Sequence, residues 1–414
     1  MIDSDDLSDV IVIVGPTAVG KTKLSIQLAK ALGNAEVVSA DSMQVYSDFD
    51  IGSAKVTESE MDGIPHHLIS VADPSTSFTV RDFVRLGRAA LADIRSRCKR
   101  PIVVGGTFYY VTALLTDTFV SCELPPDPQP DDQASADHNE QRQYAELCRL
   151  DPARAAKLHP NDTRRIRRSL EVIKAIGRPH SDAIAECTQR LLYRCLCIWL
   201  DARPEVVNQR IADRVSTMID QGVIDQNRPI YQKLPRHDRM FEIGVCQAIG
   251  FKEFRHCYDS DFDSAPDRDE RITVATETLR VATGRYAHNQ SRAIAKIVSS
   301  IPGMTTVRLD SSELEKWESD VLQPAIRLST DFISGIDQVN DCSLAQQSIL
   351  SPAASASSRQ KSWQKFTCDI CSGKVLNGQL EYSVHLRSRS HRRLFAKRRK
   401  MGNCRPRIHS TDHS

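Results

Sequence analysis

The chain has 414 residues, of which 40% are hydrophobic, and its formal net charge is +2. This length exceeds one ordinary domain and is enough to bury at least one large core, so two or three units are expected. The total charge does not suggest a polyanionic partner, but the charge is unevenly spread: residues 361–400 carry eleven Lys or Arg against two acids.

The first predicted elements alternate between strand and helix. The run from Val10 to Gly15 is apolar and β-branched, which is typical of a strand buried on both faces, and a helical pattern follows it. Further short strands are predicted over 35–41 and 101–107, the second of them after a charged helix. This alternation predicts an α/β protein with a parallel P-loop sheet flanked by helices.

Composition changes divide the rest of the chain. A Pro-, Asp- and Gln-rich loop over 124–140 precedes a basic helical stretch, and the sheet resumes over 191–201. A Ser-, Gln- and Ala-rich stretch then precedes a C-terminal unit. The expected organisation is a core over 1–125 and 190–320, an inserted helical subdomain over 126–189, a linker over 321–360 and a zinc finger with a basic tail over 361–400.

Three candidate segments each follow a predicted strand: Gly15–Thr22, Asp41–Gln44 and Gly105–Thr107. Ligands of open α/β sheets bind at the carboxyl ends of the strands. We therefore expect the three segments to converge on one crevice.

The first segment has the spacing of a P-loop, in which backbone amides hold phosphate, a lysine adds charge and a hydroxyl binds Mg²⁺. The predicted phosphate-binding residues are Gly15, Pro16, Thr17, Ala18, Val19, Gly20, Lys21 and Thr22, with Thr22 as the Mg²⁺ ligand. An NTPase also needs an acid after a neighbouring strand, but the third strand ends in Gly-Gly-Thr. Asp41 is the available acid, and locally it fits a helix N-cap or a Mg²⁺ ligand as well as a catalytic base.

Four metal-ligand residues stand near the C-terminus. Cys368 and Cys371 are followed after thirteen residues by His385 and then His391, which is a C₂H₂ pattern. Four ligands indicate a structural Zn²⁺ ion, and the surrounding basic residues favour a grip on RNA phosphates.

The motifs together resemble those of the tRNA dimethylallyltransferase (tRNA isopentenyltransferase) family, over roughly residues 10–300, and the finger resembles its eukaryotic branch. The motifs are GPTAVGKT (15–22), DSMQVY (41–46), GIPHHLI (63–69), PIVVGGTFYY (101–110), HPNDTRRIRRSLEV (159–172) and QAIGFKEF (247–254). The resemblance implies transfer of a dimethylallyl group from dimethylallyl diphosphate to N6 of adenosine 37 in the tRNA anticodon stem-loop. The P-loop would then hold the diphosphate leaving group.

The chemistry suits particular residues. The exocyclic amine of adenine is a weak nucleophile, so a carboxylate must take its proton, and Asp41 is the predicted base. Thr107 is predicted to orient the adenine or the bridging phosphate oxygen of the diphosphate. Contacts to the tRNA are expected from Asp41, Ser42, Met43 and Gln44, whose amide suits the edge of adenine, and from Arg164, Arg165, Ile166, Arg167 and Arg168 in the inserted helix. Lys252 is a further candidate phosphate contact, and no chemistry is assigned to the His66–His67 pair.

One segment departs from the family pattern. Where the family has a Tyr-Ala-Lys-Arg-Gln stretch and a nearby Trp, this chain has His288, Asn289 and Ala293 at the two basic positions and the aromatic one. The alternatives left open are an adenylate isopentenyltransferase acting on free nucleotide, a P-loop small-molecule kinase and a non-catalytic RNA-binding protein.

The protein is expected in the cytosol. A nuclear location is left open as well, because the basic run Lys397–Lys400 resembles a nuclear localisation signal. The twelve cysteines are scattered, no signal peptide or Arg-rich presequence is evident, and no uncharged run reaches the ~20 residues of a membrane helix. No pattern of a dimer seam is evident, so a monomer without membrane contact is expected.

Overall fold

The computed structural model describes residues 9–117, 139–186, 190–234, 244–259, 262–298 and 301–336, with parts of 365–395. Within the last range these parts are 365–371, 374–377, 382, 385–388 and 391–395. The chain divides into two compact units: residues 1–121 with 188–356, and residues 122–187 with 357–414.

The described elements are named in chain order. The strands are β1 (Asp9–Val14), β2 (Ala35–Ser39), β3 (His66–His67), β4 (Arg100–Gly105), β5 (Arg194–Asp201), β6 (Thr305–Asp310), β7 (Lys365–Cys368) and β8 (Lys374–Asn377). The helices are α1 (Lys21–Leu32), α2 (Glu58–Met61), α3 (Val80–Ser96), α4 (Phe108–Leu115), α5 (Asn139–Leu150), α6 (Pro152–Ala155), α7 (Thr163–Ile176), α8 (His180–Glu186), α9 (Pro204–Asp220), α10 (Val223–Lys233), α11 (Arg268–Val298) and α12 (Gln323–Ile333).

The first unit is built on a six-stranded sheet in the order β3-β2-β4-β1-β5-β6. Every pairing in it is parallel, and β1 lies between β4 and β5. The prediction of a parallel α/β sheet flanked by helices is confirmed. Because all strands run the same way, the segments that follow β1, β2 and β4 leave the sheet at one edge.

Two hydrophobic cores cover the faces of this sheet. Alternate residues of β1 serve opposite faces: Ile11 and Ile13 pack in one core, and Val10, Val12 and Val14 in the other. Helix α1 covers the first face through Leu24 and Leu28, while α3 covers the second through residues such as Phe83. Burial on both faces explains the unbroken apolar run that predicted β1.

The predicted linker over 321–360 is wrong at its beginning. Residues 323–333 form α12, and Val321, Ala325 and Leu328 are buried in the core that covers α1. The apolar residues of α12 recur at helical spacing and bury one face of this helix in the core of the first unit. That core therefore extends at least to Ile333. Residues 337–360 of that prediction lie outside the described part of the chain.

The second unit contains the helices α5 to α8 and the C-terminal hairpin of β7 and β8. Leu147, Ala155, Leu158 and Ile166 form a small core among the helices. Helix α7 starts at a side-chain cap, because the Asp162 carboxylate accepts the backbone N–H of Arg165 at 3.3 Å. In the hairpin the two strands pair antiparallel.

Across the described helices of both units, none has both the length and the apolar composition required to cross a bilayer.

Candidate active site

The glycine-rich loop joins the end of β1 to the start of α1. Gly15 packs so closely against β5 that a Cβ atom there would lie 2.2 Å from the carbonyl oxygen of Leu200. Gly20 has a φ of +96° and immediately precedes Lys21, the first residue of α1. Backbone amides at such a helix start, together with the helix dipole, form an anion-binding site.

Lys21 adds a cationic side chain to this loop. Its Nζ donates a hydrogen bond to the carbonyl oxygen of Pro16 at 2.7 Å. Burial lowers the pKa of Lys21 to about 8, an effect that the Asp41 carboxylate opposes and the Arg214 guanidinium reinforces. The charge of Lys21 therefore titrates near physiological pH when the loop is free.

The turn after β2 carries Asp41. The Asp41 carboxylate accepts the backbone N–H of Met43 at 2.9 Å and that of Gln44 at 3.4 Å. These two bonds form a turn closed by the aspartate itself rather than a helix cap, since residues 42–45 are not helical. The turn fixes the orientation of the carboxylate before any substrate arrives.

Thr107 joins this turn to the one after β4. Its hydroxyl oxygen accepts the backbone N–H of Ser42 at 3.1 Å, and the hydroxyl donates to Ser42 Oγ at 3.3 Å. Although Thr107 immediately precedes α4, its side chain makes no cap for that helix. The expected meeting of the segments after β2 and β4 is confirmed.

Gln44 turns its side chain towards the protein. Its amide oxygen accepts the Ser39 hydroxyl at 3.0 Å, and its amide nitrogen donates to the carbonyl oxygen of Ala54 at 3.3 Å. Met43, beside it, packs against the core under the sheet. A contact between Gln44 and adenine thus stays a prediction. It would have to use those lone pairs and N–H groups of the Gln44 amide that the bonds to Ser39 and Ala54 do not occupy.

Helix α11 supplies a residue that sequence reasoning missed. The amide oxygen of Gln290 accepts the backbone N–H of Thr17 at 2.9 Å, and its amide nitrogen donates to the carbonyl oxygen of Gly106 at 3.0 Å. Gln290 is buried. A Cβ atom on Gly106 would lie 2.3 Å from the Gln290 amide nitrogen, so a side chain there would displace the Gln290 amide. Gln290 thus clips the phosphate loop to the turn after β4.

Tyr286 lies one helical turn before Gln290 and is 39% exposed. Partial burial, and then the Asp41 carboxylate, raise the pKa of Tyr286 to about 12, so the phenol stays neutral. Gln290 occupies the glutamine position of the family's Tyr-Ala-Lys-Arg-Gln stretch. The sequence drew attention to this stretch only because other residues in and near it depart from the family pattern.

The three altered positions of that segment are at the protein surface. His288, Asn289 and Ala293 are all exposed, whereas Ala287 and Gln290 are buried. The bonds from Gln290 to Thr17 and Gly106 form despite these departures.

Arg214 is a second residue that the sequence did not reveal. It lies on α9, and its guanidinium donates to the Thr17 hydroxyl at 2.9 Å. Desolvation lowers the pKa of Arg214, and the Asp41 carboxylate raises it. Because Asp41 and Arg214 also affect the pKa of Lys21, the three charges share one electrostatic environment. Arg214 lies in an ordinary amphipathic helix, where its sequence neighbours give no functional signal.

The remaining predicted phosphate contacts lie at the starts of helices. Thr22 is an exposed residue in the first turn of α1. Lys252 is half-buried and begins a 3₁₀ helix, Lys252–Cys257. The roles of both residues stay predictions.

The predicted RNA-binding run lies on α7 with its residues on different faces. Arg164 and Arg165 are exposed, and Arg167 and Arg168 are half-buried. Ile166 is 1% exposed and its side chain packs in the small helical core, so a contact of this residue with RNA would have to use its main chain. The RNA contacts of this run stay predictions.

The paired histidines, to which no chemistry is assigned, both make hydrogen bonds within the protein. His67 Nε2 donates to the Glu36 carboxylate at 2.8 Å, and the same buried carboxylate binds Arg97 at 2.6 and 2.8 Å and Lys99 at 2.6 Å. Arg97, Lys99 and His67 hold the pKa of Glu36 well below its usual range. His66 Nδ1 donates to the carbonyl oxygen of Ile64 at 2.8 Å.

The four predicted metal ligands come together in the second unit. The donor atoms of Cys368, Cys371, His385 and His391 all lie within 4.8 Å of one another. His391 Nδ1 is 3.4 Å from Cys368 Sγ and 3.5 Å from Cys371 Sγ. Tetrahedral Zn²⁺ separates its ligands by roughly 3.3–3.8 Å, so these residues fit a structural zinc ion.

The fold and the site together define a P-loop α/β protein in which the phosphate loop lies beside a carboxylate–hydroxyl pair. A family model described as IPP transferase matches residues 44–295, and one described as isopentenyl transferase matches residues 8–71. The chain belongs to the tRNA dimethylallyltransferase family.

Individual relatives agree with this assignment. A tRNA dimethylallyltransferase of Saccharomyces cerevisiae is 36% identical over 92% of this chain and 91% of its own length. One from Bacillus subtilis is 40% identical, over 68% of this chain and 86% of its own. A crystal structure of a eukaryotic dimethylallyltransferase acting on tRNA has a TM-score of 0.76 at 30% identity and covers 95% of this chain and 98% of that one.

Proposed function

We propose that this protein transfers a dimethylallyl group from dimethylallyl diphosphate to N6 of adenosine 37 in tRNA. The observation that carries the proposal is the junction at Gln290, which holds the phosphate loop against the turn beside Thr107 and Asp41. A diphosphate on the loop and an adenine at Asp41 would thereby meet across a short gap. Family membership supports the same reaction.

On the acceptor side, Asp41 is the general base. The lone pair of the exocyclic amine is delocalised into the adenine ring, so the proton must leave N6 as the C–N bond forms. The backbone bonds from Met43 and Gln44 hold the Asp41 carboxylate in place to receive it. Thr107, fixed by Ser42, orients the adenine or the bridging phosphate oxygen.

On the donor side, the chain stabilises a leaving diphosphate. The allylic C–O bond breaks as negative charge builds on the diphosphate, and the loop amides and Lys21 neutralise that charge. Arg214, held on the Thr17 hydroxyl, adds a second fixed positive charge. The Thr22 hydroxyl would hold Mg²⁺, which would add to the neutralisation of this charge.

The second unit is proposed to hold the RNA. Exposed Arg164 and Arg165 of α7 suit phosphate contacts on a single-stranded loop. Zn²⁺ at the Cys368, Cys371, His385 and His391 set would order the C-terminal hairpin, whose basic surroundings suit the RNA backbone. Adenosine 37 lies in a loop, where swinging a base into a crevice is less costly than in a duplex.

The test is transfer of label from dimethylallyl diphosphate, with Mg²⁺, to unmodified tRNA that carries adenosines at positions 36 to 38. AMP and ATP are offered as acceptors in parallel reactions. Label on adenosine 37 of the tRNA, abolished in Asp41→Asn but retained in a variant of the exposed Asp48, establishes the reaction and its base.

Other outcomes identify the alternatives. Label on the free nucleotide alone would replace the proposal with an adenylate isopentenyltransferase. Tight binding of tRNA without any transfer would replace it with a non-catalytic RNA-binding protein.

A further inference from the structure

The outer side of the phosphate loop is covered by a residue from the far end of the first unit. A Cβ atom on Gly20 would lie 2.9 Å from two ring carbons of Trp317. Gly20 also has a φ of +96°, so both its backbone conformation and the indole ring exclude a side chain. Gly20, at the end of the loop, is half-buried and packs against the six-membered ring of the Trp317 indole.

Trp317 is itself held in a defined orientation by α1. Its indole N–H donates to the amide oxygen of Gln27 at 2.7 Å, and the ammonium group of Lys23 lies 4.5 Å from the ring centroid. Lys23 and Gln27 are four residues apart and share one face of the helix. Trp317 is 5% exposed, which shields its hydrogen bond to Gln27, whereas Lys23 is an exposed residue.

The segment that carries Trp317 has an unusual backbone. The 3₁₀ helix Leu314–Lys316 precedes it, and a π-helix, Glu318–Leu322, follows it before α12 begins. π-helical turns are rare and often occur at functional sites. Val321 and Ala325 anchor the segment in the core under α1.

We infer that Trp317 is a positioning residue of the donor site: by packing on Gly20, it holds the loop amides in the arrangement that binds the diphosphate. This inference rests on the proposed function and extends the donor site to a segment beyond residue 295, where the match to the family model ends. A loop already held in its binding conformation loses less conformational entropy when diphosphate binds.

The first arm of the test is kinetic and uses the full chain with zinc and Mg²⁺. Trp317→Phe keeps a ring but loses the bond to Gln27, and Trp317→Leu removes the aromatic face. We expect KM for dimethylallyl diphosphate to rise about fivefold in the first variant and more in the second, with KM for tRNA unchanged. Trp199→Phe, which alters a buried indole on β5 that packs under Arg308, is the matched control.

The second arm leaves Trp317 unchanged and needs no transfer. In a Trp199→Phe, Trp363→Phe variant, Trp317 is the remaining tryptophan of the three in the chain. Titration with inorganic diphosphate and Mg²⁺ should change its emission saturably, and Lys21→Ala should abolish the change.

The outcomes separate the two proposals. Unchanged emission together with an unchanged KM for the donor in Trp317→Phe would overturn the role of Trp317 while transfer continues. Saturable emission change without transfer to tRNA would support the role of Trp317 in diphosphate binding and refute the proposed reaction. A general loss, in which both KM values and the melting temperature shift together, would mean that Trp317 only stabilises the fold.

Discussion

Replacing Gln290 with leucine is the sharpest test of how the site is assembled. Leucine has a similar volume but cannot bond to the Thr17 amide or the Gly106 carbonyl, which Gln290 now contacts at 2.9 and 3.0 Å. Each such bond contributes about 0.5–1.5 kcal/mol, and a buried group left without a partner costs about 1–3 kcal/mol. The expected total is about 2–4 kcal/mol, since the two orphaned groups are only partly able to reach water.

We expect part of this free energy to appear as lower stability of the fold and part as less efficient use of dimethylallyl diphosphate. The two Gln290 hydrogen bonds are present in the protein without substrate, so part of the free energy lost with them lowers the melting temperature. The remainder releases the phosphate loop, and kcat/KM for dimethylallyl diphosphate should fall between about tenfold and several hundredfold. KM for tRNA should change little, because α7 and the finger lie in the other unit.

The assay compares Gln290→Leu with Asn289→Leu, which removes an amide of the same kind from the exposed face of α11. Steady-state rates at varied donor and varied tRNA, with thermal unfolding of each variant, separate the two effects. Values of kcat/KM for the donor within about twofold of each other in the two variants would refute the view that Gln290 organises the loop.

Three further predictions concern charge, RNA contact and metal. Because burial lowers the pKa of Lys21 to about 8, inorganic diphosphate should bind more weakly as pH rises through that value, as calorimetry would detect. Lys21→Arg should flatten this dependence; an equally steep decline in that variant would contradict the assignment. Arg164→Ala with Arg165→Ala should raise KM for tRNA and reduce its salt slope by about one to two without altering unfolding, whereas Ile166→Ala should destabilise the insertion by about 2–4 kcal/mol. Equal effects of these two variants on unfolding would contradict the placement of the arginines on the exposed face. His391→Ala should lose one zinc equivalent by metal analysis and weaken tRNA binding while donor KM stays constant; a full zinc content would exclude His391 as a ligand.

Much of the fold follows from local patterns that sequence alone contains. The apolar run of β1, the glycines of the loop and the spacing of Cys368, Cys371, His385 and His391 are each short-range signals with one structural interpretation. The burial of the Ile166 side chain was also predictable, because Ile166, Leu170 and Ile173 lie at helical spacing on one face and pack in one core. The error at α12 arose because low-complexity composition downstream obscured a helix that only its packing on α1 makes evident.

The partners of the phosphate loop could not be found in this way. Thr17 bonds to Gln290 across 273 positions of the chain and to Arg214 across 197, and Trp317 reaches Gln27 across 290. None of these residues belongs to a spacing motif with its partner. They meet because the parallel order of the strands gathers loop ends at one edge of the sheet, and the packing of α9, α11 and the Trp317 segment around that edge selects which side chains arrive there.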